Sequence, residues 1–182
     1  MLEYHKDFIG PSNGFALLRD QLDWVRVGNR PRSEYWDTTL NEPYTYGSGP
    51  MQHTYQPQPS NPFISTMREV LFINLGVMFH GCFCNYYKHG KESLGWHSDD
   101  EPNIDHTKPI AILTFGGSRE LQWKKMGTGG MKAISTQLLE DGSLALMPAG
   151  MQQTHLHRIP KASHAKGPVE PRISLTFRSL LE

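Results

Sequence analysis

The chain has 182 residues, a length that suits one domain with its own hydrophobic core. Its 18 Lys and Arg residues balance 18 Asp and Glu residues, so net charge gives no support to nucleic-acid binding, although a local basic face remains possible. No apolar stretch approaches the roughly 20 residues of a membrane span, and the first ten residues do not resemble a secretory signal. Cys82 and Cys84 lie too close together to build a disulfide framework. We therefore expect an intracellular monomer, cytoplasmic or nuclear, with no membrane partner.

Two helices are predicted in the first part of the chain. Pro11-Ser12 opens a segment whose apolar residues recur at helical spacing, namely Phe15, Leu18, Leu22 and Val25. Ser60 or Asn61 caps a second helix, which ends at Gly76. The residues between the helices, 28–62, are rich in Pro, Gly, Tyr and polar side chains, and we expect them to form short strands and loops over a surface.

The rest of the chain is predicted to be mainly β. Apolar or alternating runs bounded by turn residues predict six strands, over residues 78–87, 109–115, 120–125, 131–138, 142–147 and 172–178. Helices followed by strands with short turns favour a mainly β fold with α, a jelly roll or double-stranded β-helix. We expect one domain over residues 1–182, with a helical and lid part at 1–77 and the jelly-roll core at 78–182.

The segment SLGWHSDDEP carries the most informative pattern of the chain. His97 and Asp99 lie two residues apart, so on an extended backbone they point to the same face and can bind one metal ion together. A third ligand from elsewhere would complete a two-histidine, one-carboxylate triad, which leaves three adjacent positions open on Fe(II) for O₂ and a chelating cosubstrate. His155 and His157 also lie two apart, and either could be that ligand. Alone, His-x-Asp is more often an ordinary polar loop.

The last predicted strand, RISLTFR, has a polar face of period two formed by Arg172, Ser174, Thr176 and Arg178. This face could lie in solvent, as in any half-buried strand. It could instead point inward and present two guanidinium groups to a dicarboxylate cosubstrate. Asn85 and Tyr87 share a face of an earlier strand, where they could hydrogen-bond to a carboxylate or, for the ring, cover the core.

Taken in order, these motifs resemble the AlkB family of Fe(II)/2-oxoglutarate-dependent dioxygenases, particularly the animal homologues that repair N-alkylated bases. The likeness extends from about residue 31 to residue 178. The matching stretches are Pro31-Arg32, Tyr44-Thr45-Tyr46, Asn85-x-Tyr87, WHSDDEP at 96–102, GSL at 142–144, HRIP at 157–160 and the closing R-x-x-L-T-F-R. So many motifs in one order make the resemblance highly specific.

The resemblance implies roles for the residues that match. His97, Asp99 and His157 would bind Fe(II), because the family's distal ligand precedes an Arg-Ile-Pro-like triplet. Arg172 and Tyr87 would hold the distal carboxylate of 2-oxoglutarate. The residues implied at the metal-chelating end of this cosubstrate are Asn85 and Arg178, with Ser174 in place of an asparagine that is common in the family.

Other residues are implied at the substrate. Asp100 and Glu101 would face the target base, where a carboxylate accepts a hydrogen bond from the exocyclic amine and favours a cationic ring. His155 replaces a tryptophan of close relatives and could alter the base pocket. In the expected nucleotide-recognition lid, three aromatic residues could stack against a flipped base or simply pack the lid, namely Tyr44, Tyr46 and Trp36.

The implied reaction is the oxidative demethylation of bases of the 1-methyladenine or 3-methylcytosine type, with O₂ and 2-oxoglutarate consumed and formaldehyde, succinate and CO₂ released. Arg26, Arg30 and Arg32 could follow a phosphate backbone. Relatives that act on duplex DNA insert an apolar wedge before the Pro-Arg motif, whereas this chain has Val27-Gly28 with no aromatic residue there. We therefore expect single-stranded DNA or RNA to be the better substrate.

Two other functions remain open. An oxygenase of the same chemistry could act on a protein side chain or a small molecule, which the near-zero net charge favours. A jelly roll could also be a binding module without catalysis, although the full ligand set argues against that. Two further basic groups, which scattered solvated charges explain equally well, are Lys124 with Lys125, and Arg158 with Lys161 and Lys166.

Overall fold

The computed structural model describes residues 1–47, 49, 52–162 and 168–181, so that Lys166 of the predicted basic groups lies outside the described residues. The strands are numbered here in chain order. A six-stranded antiparallel sheet has the spatial order β1 (Glu3–His5), β10 (Leu144–Met147), β7 (Ile110–Gly116), β12 (Arg172–Arg178), β5 (Gly81–Tyr87) and β2 (Ser33–Thr38). A four-stranded antiparallel sheet has the order β6 (Leu94–His97), β11 (His155–Ile159), β8 (Arg119–Lys125) and β9 (Ser135–Leu139).

The two sheets share a core, which confirms the predicted double-sheet β fold. One hydrophobic cluster joins Ile110, Ile112 and Met147 of the six-stranded sheet to Leu121 and Leu139 of the four-stranded sheet. Each strand contributes alternate residues to this cluster because successive side chains point to opposite faces. Polar residues occupy one end of the same space, and they form the site described below.

Two helices cover the outer face of the six-stranded sheet. Helix α2 (Pro62–Leu75) begins and ends as predicted, since the Asn61 side chain accepts hydrogen bonds from the first-turn N–H groups and Gly76 takes a left-handed conformation with φ 65°. Helix α1 (Gly14–Gln21) is shorter than the apolar spacing predicted. Leu22 is already extended, and Val25 pairs with Glu34 in a β-bridge instead of continuing the helix.

The predicted division at residue 77 does not separate a lid from a core. Strands β1 and β2 belong to the first 77 residues, yet they form the two edges of the six-stranded sheet. Among the strands of the described residues, only the hairpin of β3 (Tyr44–Tyr46) and β4 (His53–Tyr55) lies outside both sheets, and it packs through aromatic rings on Phe83 of β5. The predicted strand at 131–138 begins only at Ser135, because a short 3-10 helix (Met131–Ala133) follows Gly130.

No helix among residues 1–47, 49, 52–162 and 168–181 is both long enough and apolar enough to cross a membrane. The expected single domain, monomeric state and cellular location stay predictions.

Replacing Asn61 by Ala should lower the free energy of unfolding by about 1–2 kcal/mol, because two N–H groups at the start of α2 lose their acceptor. Asn74→Ala is the matched control, since Asn74 is exposed near the other end of α2 and bonds only to a carbonyl one turn earlier. Urea denaturation of both variants measures the difference. Equal midpoints would contradict the capping role.

Candidate metal and cosubstrate site

Three side chains converge where β6 and β11 lie side by side. His97 is directly opposite His157 in the antiparallel register, and Asp99 follows two residues after the end of β6. The potential ligand atoms of these three residues all lie within 4.8 Å of one another. The two imidazole rings are 4.1 Å apart between centroids, and His97 Nε2 is 3.5 Å from Asp99 Oδ1. The geometry is that of a two-histidine, one-carboxylate metal site. We call these residues the ligand triad.

Hydrogen bonds hold two members of the ligand triad in position. His97 Nδ1 lies 2.9 Å from the Gly95 carbonyl, which leaves Nε2 directed at the other ligands. Asp99 Oδ2 accepts a hydrogen bond of 2.7 Å from Arg178, and the Asp99 N–H donates to Gln152 Oε1 at 3.0 Å. Asp99 Oδ1 is buried and accepts no hydrogen bond from the described residues. A buried carboxylate oxygen without a donor fits a bound cation.

The protonation states of the triad suit metal binding. The pKa of His157 is lowered to about 3, mainly by burial. The neighbouring His97 contributes to this decrease, and its effect is larger than the opposing increase caused by the Asp99 carboxylate. Burial likewise lowers the pKa of His97. For Asp99 burial works in the opposite direction, but Arg178 and the two histidines bring the pKa down to about 2. Two neutral imidazoles and one carboxylate at neutral pH are the forms that ligate a divalent metal.

A cavity between the sheets continues from the triad to Arg172. Arg172 is 1% exposed and donates one hydrogen bond of 3.0 Å to Thr114 Oγ1, while its Nε and its other terminal nitrogen have no partner in the described ranges. The Tyr87 ring lies 5.6 Å from the guanidinium carbon. Burial lowers the pKa of Arg172 to about 10, so it stays cationic at neutral pH. A buried cation with unpaired N–H groups fits a carboxylate ligand.

The other residues predicted for the cosubstrate line the same cavity, namely Asn85, Tyr87, Ser174 and Arg178. Ser174 is opposite Asn85 in the register of β12 and β5, and both are buried. The polar face of the last strand therefore points inward, which rules out the solvent-exposed alternative. Their contacts with 2-oxoglutarate stay a proposal.

An open cleft of about 1260 Å³ adjoins the triad on the side of the β3–β4 hairpin. Tyr46, Asp100 and Glu101 line it, so these three predicted substrate residues lie at its walls. The Tyr46 ring meets His97 edge-on at 5.9 Å between centroids. Burial raises the pKa of Glu101 to about 7, the Asp99 carboxylate adds to the rise, and Arg178 opposes it.

For two of the three lid aromatics, the structure favours packing of the lid over stacking on a base, which were both left open. Trp36 is 1% exposed and Tyr44 0%, and their rings stack on each other at 4.7 Å. The Trp36 indole N–H donates to the Glu42 carbonyl. Both rings pack the hairpin against the sheet, and neither offers a face to a flipped base.

The early arginines, which were predicted to follow a phosphate backbone, lie beside carboxylates. Arg32 is buried at the junction of cavity and cleft, where it donates to Asn85 Oδ1 at 2.7 Å and pairs with Glu34 at 2.5 Å. Glu34 also accepts from Arg30 and from the Tyr55 hydroxyl. Arg26 pairs with the buried Glu92. The three arginines thus share two carboxylates, and their contacts with phosphate stay a prediction.

His155 is not part of the ligand triad, which resolves the open choice between the two histidines of β11 in favour of His157. His155 Nδ1 is 2.8 Å from the hydroxyl of Thr154, and the residue lines neither the cavity nor the cleft. Its predicted effect on the base pocket finds no support in this placement.

Sequence reasoning missed several residues of the site. Thr114 was detectable, because it is the one polar residue in an apolar strand and pairs with Ser174. Phe83 lines the cavity beside Asn85 at strand spacing. Two further residues had no sequence signal: Arg119, whose buried guanidinium lies 5.2 Å from the Tyr87 ring, and Gln152, which accepts from the Asp99 N–H.

The variants His157→Ala and Asp99→Ala should each weaken Mn(II) affinity by at least about 100-fold, because even changes outside the ligand set cost about 10–100-fold. His155→Ala is the matched control on the same strand and should retain wild-type affinity. Calorimetric titration of Mn(II) into each protein measures this. A larger loss in His155→Ala than in His157→Ala would contradict the ligand assignment.

Arg172→Ala should weaken 2-oxoglutarate binding to the Mn(II)-loaded protein by roughly 100-fold or more, since a buried charged group would lose its partner at a cost of about 3 kcal/mol. Mn(II) affinity should stay unchanged, because Arg172 contacts no triad residue. Unchanged cosubstrate affinity would exclude this end of the cavity as the carboxylate site.

Comparisons with known proteins agree with the site. Residues 23–178 match the profile of the 2OG-Fe(II) oxygenase superfamily. Human "Alpha-ketoglutarate-dependent dioxygenase alkB homolog 3" is 34% identical over 158 residues, which are 83% of this chain and 52% of the relative. Bovine "DNA oxidative demethylase ALKBH2" is 30% identical over 174 residues, 91% of this chain and 59% of the relative.

The chain thus spans about half to two thirds of the length of these curated relatives. The solved structure of OsALKBH1 superposes with a TM-score of 0.70 at 16% identity, covering 98% of this chain and 96% of that chain, and it supports the fold alone. The family match covers most of the chain and all three triad residues, and the resemblance seen in the motifs is confirmed. The chain belongs to the 2OG-Fe(II) oxygenase superfamily.

Proposed function

We propose that the chain is an oxidative demethylase of N-methylated bases in nucleic acid, of the 1-methyladenine or 3-methylcytosine type. It would use Fe(II), O₂ and 2-oxoglutarate and release formaldehyde, succinate and CO₂. The observation that carries the proposal is one cavity whose lining includes buried groups without hydrogen-bond partners, among them Asp99 Oδ1 and two nitrogens of Arg172. The first suits a divalent cation and the second a carboxylate.

The residues of the cavity have separable tasks. His97, Asp99 and His157 hold Fe(II), which with 2-oxoglutarate and O₂ supplies the oxidant for the N-methyl group. Arg172 binds the distal carboxylate of 2-oxoglutarate, and Tyr87 packs on its guanidinium. Arg178 keeps the Asp99 carboxylate charged and oriented, because its hydrogen bond occupies Oδ2 and leaves Oδ1 for the metal.

The cleft suits a flat cationic base. Asp100 and Glu101 place carboxyl groups at its wall, within the same pocket as Tyr46. A carboxylate at this position accepts a hydrogen bond from an exocyclic amine and favours the positive charge that ring methylation creates. The Tyr46 ring supplies a surface for the base at the edge of the triad. Relatives named as DNA demethylases support a nucleic acid as the source of that base.

A single strand is the substrate form that the cleft edge favours. Val27, Gly28 and Asn29 form this edge, and Val27 is partly buried against the Trp36 cluster. No aromatic side chain is present at residues 25–32 to fill the gap that a flipped base leaves in a duplex. The enzyme therefore has little to offset unpairing, which costs a few kcal/mol in a duplex and much less in a single strand.

The test is release of formaldehyde and succinate from oligonucleotides that carry 1-methyladenine or 3-methylcytosine. We expect equal amounts of the two products, and kcat/KM at least about tenfold higher on the single strand than on the paired duplex. Asp99→Ala is the inactive control.

A panel of peptides and small metabolites runs in parallel. Turnover of one of these with none of the oligonucleotides would replace the proposal by an oxygenase of protein side chains or small molecules. Faster turnover of the duplex would contradict the single-strand preference while leaving demethylation in place.

A further inference from the structure

Two cations meet one aromatic ring on the outer face of the four-stranded sheet. The Nζ atom of Lys124 lies 4.9 Å from the Trp96 ring centroid, and the guanidinium carbon of Arg158 lies 4.5 Å from it. The three residues come from β8, β6 and β11, and we call them the cationic patch. They face outward because their neighbours His97 and His157 face inward, and successive strand residues alternate.

The cations of the patch are not neutralised in the way the early arginines are. Neither Lys124 nor Arg158 makes an ion pair with any residue of the described chain. Arg158 Nε donates to the neutral Gln122 side chain at 2.9 Å. Glu120, which lies two residues before Gln122 on β8, accepts a hydrogen bond from Gln122. Positive charge therefore stays available on a protein whose total charge is zero.

The cationic patch is continuous with the cleft. Trp96 and Leu156 both line the cleft, and Leu156 is opposite Lys124 in the register of β11 and β8. A strand that leaves the cleft past Trp96 meets Arg158 on the neighbouring strand β11 and Lys124 on β8, both of which contact the Trp96 ring. The ring contacts also restrict two long, flexible side chains before any ligand binds, which lowers the entropic cost of binding.

We propose that Lys124 and Arg158, held by Trp96, bind the phosphate backbone of the substrate strand beside the base in the cleft. This inference rests on the proposed function and names the part of the surface that attracts the strand. Arg158 presents a planar fork of donors and Lys124 a compact charge, and both suit phosphate oxygens. Because the contacts reach backbone and not base edges, the patch adds affinity without sequence preference.

The double variant Lys124→Gln/Arg158→Gln tests the patch. Binding of an unmodified twelve-nucleotide single strand is measured by fluorescence anisotropy over a series of salt concentrations. Two lost phosphate contacts should reduce the slope of log affinity against log salt by about 1.4, since each contact contributes about 0.7 on single strands. The kcat/KM of a methylated twelve-nucleotide strand, relative to a methylated trinucleotide, should fall on the order of tenfold.

Arg19→Gln is the matched control. Arg19 is exposed on α1, on the opposite side of the two sheets, and pairs with Asp20. The substitution removes one positive charge from the protein but leaves the cationic patch unchanged. The slope of log affinity against log salt, and the kcat/KM of the twelve-nucleotide strand relative to the trinucleotide, should therefore stay at wild-type values. The thermal unfolding midpoint of every variant verifies its fold.

The outcomes separate this inference from the proposed function. An unchanged salt slope in the double variant would overturn phosphate binding by the cationic patch, even if methylated strands are demethylated. A reduced slope supports the patch even when no methylated strand is turned over, which would overturn the proposed function instead. Stronger competition by an acidic peptide than by the oligonucleotide would assign the patch to a protein partner and overturn the inference.

Discussion

The antiparallel register between β6 and β11 is the constraint on which the rest of the site depends. It sets His97 opposite His157, and the two strands are irregular only beyond that pair, between His157 and Ile159. A slip of one residue would exchange the faces of either strand, because the side-chain period is two. Arg158 would then enter the cavity in place of His157, and a cation would stand where a metal ligand is needed. One register thus fixes the ligand triad inside and the cationic patch outside.

A series of hydrogen bonds and one ion pair links the hairpin to the cavity. Tyr55 of the hairpin donates to Glu34, Glu34 pairs with Arg32, and Arg32 donates to Asn85 in the cavity wall. Removing one member would leave a buried charge without its partner, which typically costs about 3–5 kcal/mol. The position of the hairpin over the cleft is therefore coupled through hydrogen bonds to Asn85, which lines the cavity.

The residues closest to the chemistry were the most predictable from sequence. Period two predicted that His97 and Asp99 share a face and that the RISLTFR strand has one polar face. The family resemblance was needed to place both in the site. The choice of His157 over His155 needed a family resemblance, since both point to the same face of β11. Helix α2 was predicted to its last residue because Asn61 and Gly76 carry local signals.

Two features could not be predicted from the sequence: the ion-pair partner of each arginine, and how deeply each aromatic side chain is buried. Arg26 and Arg32 were predicted to belong to a basic cluster, yet each pairs with a carboxylate. Glu92 is brought near Arg26 only by the tertiary fold, whereas Glu34 is two residues from Arg32 in sequence. For Trp36 and Tyr44 the choice between base stacking and lid packing stayed open, because the sequence does not show that β2 is buried on both faces, beneath the hairpin. An alternating strand pattern does not reveal whether another element covers its polar face.

Arg172 also has a consequence for the lifetime of the folded protein. Two of its donor nitrogens are buried without an acceptor in the described part of the chain. Each buried donor without a hydrogen bond costs about 1–3 kcal/mol of folding free energy. A dicarboxylate that satisfies them binds the native state and not the unfolded chain, so it shifts the folding equilibrium by about 2.7 kcal/mol at a hundredfold excess over its dissociation constant. The supply of cosubstrate would then set the amount of enzyme that survives proteolysis as well as its turnover, because degradation follows the unfolded fraction.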